Sequence, residues 1–230
     1  MENWKVPRLW NGKECWIIGG GSSMAKQFGV PLDLINDVVS GKKPLSQYSP
    51  YFSQLYGKNT IGINAAFLLG KWIKVVFFGD KEFFNRNKNE FARFGNLKVT
   101  CADTGQDWLY KRTYVKLLKR DVKREGISQH NGYVCWNYNS GAASISLAAH
   151  LGVKKIYLLG FDMKSDEKTG RTHWHGHYKS RIRDNTFKRH LKGFGQIAKD
   201  AEKMGIEIIN VNPDSAIDKF PKVSLKEVLQ

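Results

Sequence analysis

Six short apolar runs punctuate the chain: CWIIGG at 15–20, TIGIN at 60–64, KVVFFGD at 74–80, LKVTCAD at 97–103, KKIYLLGFD at 154–162 and IEIINVNP at 206–213. They are continuous, and rich in Val, Ile and Phe. Strands covered on both faces read this way, as in parallel sheets, whereas strands with one wet face alternate apolar and polar residues. Helical patterns fill the intervals. Residues 140–151 (SGAASISLAAHL) are small and apolar behind a capping Asn139 or Ser140. Residues 185–204 repeat Phe187, Leu191, Phe194, Ile197, Ala198 and Ala201 near the helical period. Residues 106–125 set Leu109, Val115, Leu117, Leu118 and Val122 among many basic residues and are read as a further helix. Alternating strand and helix predicts an α/β chain: a Rossmann-like, doubly wound, mostly parallel sheet with helices on both faces. With 230 residues, 41% of them apolar, the chain can bury a sizeable core. No Pro/Gly-rich linker divides it, so one domain over 1–230 is expected, with insertions at about 31–58 and 163–184, the second lid-like.

Composition narrows the class. No apolar run approaches the ~18 residues of a membrane span. The start, MENWKVPRLWNGKE, is polar and unlike a signal peptide, so the cytoplasm is the expected compartment. Cys15, Cys101 and Cys135 are odd in number and widely spaced, with no CxxC pair, and are expected to be buried free thiols.

Charge points to partners. Lys and Arg number 37 against 21 Asp and Glu, a balance of +16. So basic a chain attracts polyanions: nucleic acid, anionic lipid or phosphorylated small molecules. The basic residues crowd 111–124, including Lys111 and Arg112, and 164–192, including Lys179, Arg181 and Arg183. Trp108, Tyr110, Tyr114, Trp174, Tyr178 and Phe187 lie among them, and cations with rings suit phosphates and bases. The plainer reading is a solvated face.

In open α/β sheets, ligands bind beyond the carboxyl ends of the strands. The first run ends in Gly19, Gly20, Gly21 and Ser22, where a close backbone approach and free N–H groups would suit a phosphate, or where the chain simply turns. Asn64 ends the second run, as a helix cap or a ligand group. Asp80, Asp103 and Asp162 end three others and suit a ribose, a metal, a hydroxyl or a cap. Asn139, Ser140 and Gly141 open a helix whose N-terminus favours an anion. His173, His175 and His177 alternate within THWHGHYK. Three readings stay open: a general base, a metal site, or an incidental loop.

The order IIGGGSSM, GINAAF…GKWIKVVFFGD, NSGAASISLAAHLGVKKIYLLGFDM, HGHYKS and IEIINVNPDSAIDKFP resembles the bacterial lipooligosaccharide sialyltransferases. It is also similar to a wider group of Rossmann-like proteins, many phage-borne, and to the archaeal 6-hydroxymethylpterin diphosphokinases. The likeness covers roughly 14–80 and 133–222. It implies a nucleotide-sugar donor, CMP- or otherwise linked, used without a metal. Gly19, Gly20, Gly21, Ser22, Asn64, Asn139, Ser140 and Gly141 would hold the nucleotide, with Gly160 and Asp162 close by and Asn212–Ser215 near the nucleotide and lid. The family's catalytic base falls on His177. The family's loop reads closer to GNGPS where this chain has GGGSS, which implies a different donor, and its lid tyrosines find no counterpart. No membrane-associated tail is visible, and with the +16 charge this turns the expected acceptor from lipid-linked glycan to a soluble polyanion, such as phage DNA carrying a hydroxylated base. The alternatives are an ATP- and Mg²⁺-dependent diphosphokinase with Asp80, Asp103 or Asp162 as ligands, and a non-catalytic nucleic-acid-binding protein.

Overall fold

The computed structural model describes residues 4–102, 114–178 and 184–229. Nine strands run β1 (Glu14–Ile18), β2 (Thr60–Ile63), β3 (Val75–Phe78), β4 (Leu97–Thr100), β5 (Lys116–Leu117), β6 (Lys119–Asp121), β7 (Tyr133–Cys135), β8 (Lys155–Leu159) and β9 (Glu207–Asn210) among the described residues. Seven form one sheet in the order β5-β4-β3-β2-β1-β8-β9, and every pair in it is parallel. A separate parallel pair joins β6 to β7. The helices are α1 (Ser23–Gln27), α2 (Leu32–Val39), α3 (Lys81–Arg86), α4 (Lys88–Arg93), α5 (Ser140–His150), α6 (Asp184–Leu191), α7 (Phe194–Met204) and α8 (Leu225–Val228), with 3-10 helices at Leu45–Leu55 and Asn64–Leu69. The fold is the doubly wound, Rossmann-like α/β architecture that the apolar runs predict, and the sheet does not close.

Both faces of the sheet are covered, which is why its strands read as unbroken apolar runs. Cys15, Ile17, Val75, Phe77, Ile156, Leu158 and Ile208 pack with α5 and α7. Their neighbours Trp16, Ile18, Val76, Phe78, Tyr157, Leu159 and Ile209 face the other way, into α1, α2 and the 3-10 helices. All three cysteines are buried free thiols. Segment 31–58 supplies Ile35, Val38, Tyr48, Phe52 and Leu55 to this second core.

From β1 the chain winds outward through β2, β3, β4 and β5, then returns to place β8 on the other side of β1. The winding direction therefore changes between β1 and β8, and a crevice opens at that point, beyond the carboxyl ends of both strands.

Three local readings change. Of the helix expected at 106–125, residues 106–113 lie outside the described residues, and 114–125 hold β5 and β6. Val115 and Leu118 are buried while Val122 is 70% exposed, so the apolar residues there serve strand pairing at a sheet edge, not one face of a helix. β7 is a strand the sequence reading did not assign. The helix expected over 185–204 breaks at Lys192–Gly193, where a side chain on Gly193 would meet Asn137 Cβ at 2.6 Å.

Candidate active site

A cleft of about 660 Å³ occupies the switch point. It is lined by Gly19, Gly20 and Gly21, by Gly160 and Asp162, by Asn64 and Asp80, and by Asn139, Ser140 and Gly141 at the start of α5. The sequence reading named all of these. Ser22 lies just beneath, buried, its hydroxyl 3.4 Å from Asp162 Oδ2. Trp136, Tyr138, Tyr178, Phe187, Arg189 and His190 also face the cleft. Tyr178, Phe187 and Arg189 stood in the basic, aromatic cluster of the sequence; nothing local marked Trp136, Tyr138 or His190.

The glycine turn is close-packed against protein. A Cβ on Gly19 would sit 2.7 Å from Gly160 O, and one on Gly21 would sit 2.5 Å from Asp162 Cγ. Gly19 and Gly21 therefore let β1 and β8 end side by side, while Gly20 faces His173 of the flap. Their amides are largely spent. Gly19 N donates to Leu159 O at 2.7 Å, Gly21 N to Gly160 O at 2.8 Å, and Ser23 N to Asp162 Oδ2 at 2.8 Å.

Asp162 ties the turn to the ends of β8 and β9. Its Oδ1 accepts from Ser23 Oγ at 2.5 Å and Asn212 Nδ2 at 2.9 Å. Burial raises its pKa, while the bonds from Ser23, Asn212 and Ser22 pull it down. Three neighbours thus hold this carboxylate, which locks the turn in place. Of the other strand-end carboxylates, Asp80 caps α3, its Oδ1 accepting from Glu82 N at 2.9 Å, and Asp103 lies outside the described residues.

Gly20 N and Ser22 N in the turn have no partner among the described residues, and further unspent donors sit at α5. Asn139 caps it, Oδ1 accepting from Ala142 N at 2.8 Å, and its Nδ2 donates to His190 O at 3.2 Å. The amides of Ser140 and Gly141, the first two of the helix, have no partner among the described residues and lie on the cleft. They carry the positive end of an eleven-residue helix. Asn64 does not cap by its side chain: Ile63 holds the N-cap position of that 3-10 helix. Asn64 instead takes a left-handed φ of 49°, and its buried Oδ1 has no partner, leaving an acceptor at the cleft.

Residues 172–178 close over the turn as a flap. Trp174 is fully buried and clamps it, donating Nε1 to Gly19 O at 2.8 Å and N to Gly20 O at 3.2 Å. His173 and His175 line the cleft. His177 does not; its Nε2 lies 2.7 Å from Asn87 Oδ1. Burial lowers the pKa of His173 to about 4, that of His175 well below its ordinary value, and that of His177 as well, so the rings at the cleft are neutral near pH 7. Burial pushes the Tyr178 hydroxyl up to about 12. Among the described residues, no three His, Cys, Asp or Glu side chains converge on a point that would hold a metal. No helix among them is long and apolar enough to cross a membrane.

No protein-family model matches this chain, and no curated protein matches it. Among solved structures, it is similar to the sialyltransferase CstII from Campylobacter jejuni in complex with a substrate analogue, cytidine-5'-monophosphate. That likeness has 14% identity over 93% of this chain and 86% of that one, with a TM-score of 0.47. A complex of CstII with CMP-3FNeuAc gives 15% identity over 92% and 85%, with a TM-score of 0.43.

Proposed function

We propose that the protein transfers a sugar from a nucleotide-activated donor to a hydroxyl group. The observation that carries this reading is the juxtaposition, in one cleft, of two unspent amides at the start of α5 with the neutral histidines of the flap. The donor phosphate docks on Ser140 N and Gly141 N, aided by the helix dipole, and Asn64 Oδ1 takes a donor group of the nucleotide or sugar. The acceptor oxygen attacks the anomeric carbon as the bond from that carbon to the phosphate oxygen breaks. The electron pair of the broken bond stays on the departing phosphate, where the amides stabilise it. The hydroxyl proton passes to a flap histidine. His173 faces the cleft and takes this role in the present geometry; His177, the residue matching the family's base, takes it once its ring turns away from Asn87.

The acceptor in this reading is a polyanion, DNA carrying a hydroxylated base being one. Its support is the +16 charge and the basic last turn of α6, where Lys188 and Arg189 are exposed beside the cleft. Lys111, Arg112, Lys179, Arg181 and Arg183 lie outside the described residues.

A thermal-shift panel of CMP-, UDP-, GDP- and ADP-linked sugars with ATP tests the donor, because a ligand that binds only the folded state raises Tm by mass action. One nucleotide-sugar is expected to raise Tm without a divalent ion, and a response to ATP with Mg²⁺ alone would favour the diphosphokinase reading. With that donor, His173→Asn is expected to cut transfer by roughly 10²–10⁴-fold while donor binding persists. Full turnover by His173→Asn together with its loss in His177→Ala would assign the proton to His177. Full turnover by both variants would end the base reading.

A further inference from the structure

The hydrogen bonds of the flap fix the ring proton of two of its three histidines. His175 is enclosed, with 5% of its surface exposed, edge-on to Trp174 at 4.6 Å between ring centres. Its Nδ1 lies 3.2 Å from the backbone nitrogen of His177, which can only donate. A ring nitrogen that accepts must offer its lone pair, and a neutral imidazole has one N–H, so the proton of His175 sits on Nε2. That nitrogen has no hydrogen-bond partner among the described residues, and it lies 3.8 Å from where a side chain on Gly20 would begin. Both His175 and Gly20 line the cleft.

His177 holds the same tautomer, fixed by a different partner. Asn87 donates Nδ2 to Phe83 O at 2.8 Å, which turns Oδ1 toward His177. His177 Nε2 must then carry the hydrogen, leaving Nδ1 to accept. His173 has Nδ1 2.9 Å from Thr172 Oγ1, a hydroxyl that can donate or accept, so its tautomer is free to change.

We infer that His175 is held as the Nε2–H tautomer and is a fixed neutral donor in the cleft, directed at an anionic oxygen of the bound molecule, so that it cannot be the proton acceptor. The identity of that oxygen rests on the nucleotide-sugar reading; the tautomer does not. A phosphate oxygen fits, since an N–H that stays neutral bonds to it without first losing or gaining a proton. The residue is a positioning and charge-stabilising group, acting beside the base.

Ring-¹⁵N NMR of the free protein, assigned with His175→Gln, reads the tautomer directly. A protonated Nε2 and bare Nδ1 on His175, unchanged from pH 7 to 5, are expected. A protonated Nδ1, or a ring that takes up a second proton near its ordinary pKa, would overturn the inference. Titration with cytidine 5′-monophosphate then tests the donor. Gln places its amide nitrogen near the Nε2 position; Asn reproduces only the Nδ1 side. His175→Asn is expected to weaken CMP binding by roughly 10- to 100-fold, and His175→Gln by no more than about threefold, the range for a hydrogen bond to a charged group. Equal weakening in both variants, or in neither, would remove the donor role. If the wild type binds neither CMP nor inorganic pyrophosphate, the nucleotide reading falls, and the ¹⁵N spectrum alone decides the inference.

Discussion

The turn after β1 and the histidine flap meet beside the cleft, and the balance of forces that holds each one differs. The turn is fixed by directed bonds: Gly19 and Gly21 donate to β8, and Asp162 gathers Ser22, Ser23 and Asn212. The flap adds ring packing to a few directed bonds, those of Trp174 to Gly19 O and Gly20 O and of His177 to Asn87. Its rings lie 5.0–6.0 Å apart along His173, His175, His177 and Tyr178, and Trp174 pins it beneath the turn. Saturated polar groups hold shape. Among the described residues, flap ring nitrogens, Gly20 N and the first amides of α5 have no hydrogen-bond partner. In this cleft, bonded groups set position, and the proposed chemistry falls on the groups left over.

The largest expected effect breaks the polar side of this comparison. Asp162→Ala strands four donors on Ser22, Ser23 and Asn212, and a loss of roughly 3–5 kcal/mol in urea unfolding is expected. A loss under about 1 kcal/mol would mean that Asp162 is not what fixes the turn.

Acid should strike the flap next. The folded-state pKa of His173 is lowered to about 4, and burial also holds His175 well below its ordinary value, against about 6.5 for the unfolded chain. The folded state therefore binds fewer protons, so this stability is complete above pH 6.5 and fades as pH falls toward 4. A loss on the order of 2–3 kcal/mol over that window is expected from His173. The pH profile of unfolding for His173→Asn should be flatter there; profiles that superimpose would place the acid sensitivity elsewhere.

A smaller test sets two glycines against each other. Gly21→Ala forces a Cβ to 2.5 Å from Asp162 Cγ inside the bonded knot, and should cost about 2 kcal/mol. Gly20→Ala meets His173 Cδ2 at 2.9 Å, a contact the flap can relieve by shifting. It should cost less than about 1 kcal/mol while changing the fluorescence of Trp174. Equal losses would show that the flap is as fixed as the turn. The smallest effect is Asn139→Ala, about 1 kcal/mol for the lost cap of α5, measured by thermal unfolding.

Much of the fold was legible because burial on two faces leaves a plain mark: six unbroken apolar runs became six parallel strands. β5, β6 and β7 were not, since strands of two or three residues are too short to show a period and their basic neighbours suggested a helix. The ligand end of the sheet was legible from Gly19–Gly21, Asn139–Gly141 and Asp162, but their roles were not. Gly19 and Gly21 make room for the end of β8, a need for glycine that shows only in the fold, and Asp162 is held by its neighbours. The nucleotide end of the proposed site shifts accordingly to the amides of Ser140 and Gly141.

What the sequence determined by itself is the class of fold and the neighbourhood of the cleft, because the alternation of strands and helices and the residues ending each strand are local properties of the chain. Only the tertiary structure decided which groups stay unpaired there. Whether Asp162 is satisfied depends on Ser23, 139 positions before it, and on Asn212, 50 after it; whether His177 faces the cleft depends on Asn87, 90 residues before it. A hydrogen bond is either formed or free, and for these residues folding brings the partner from far along the chain.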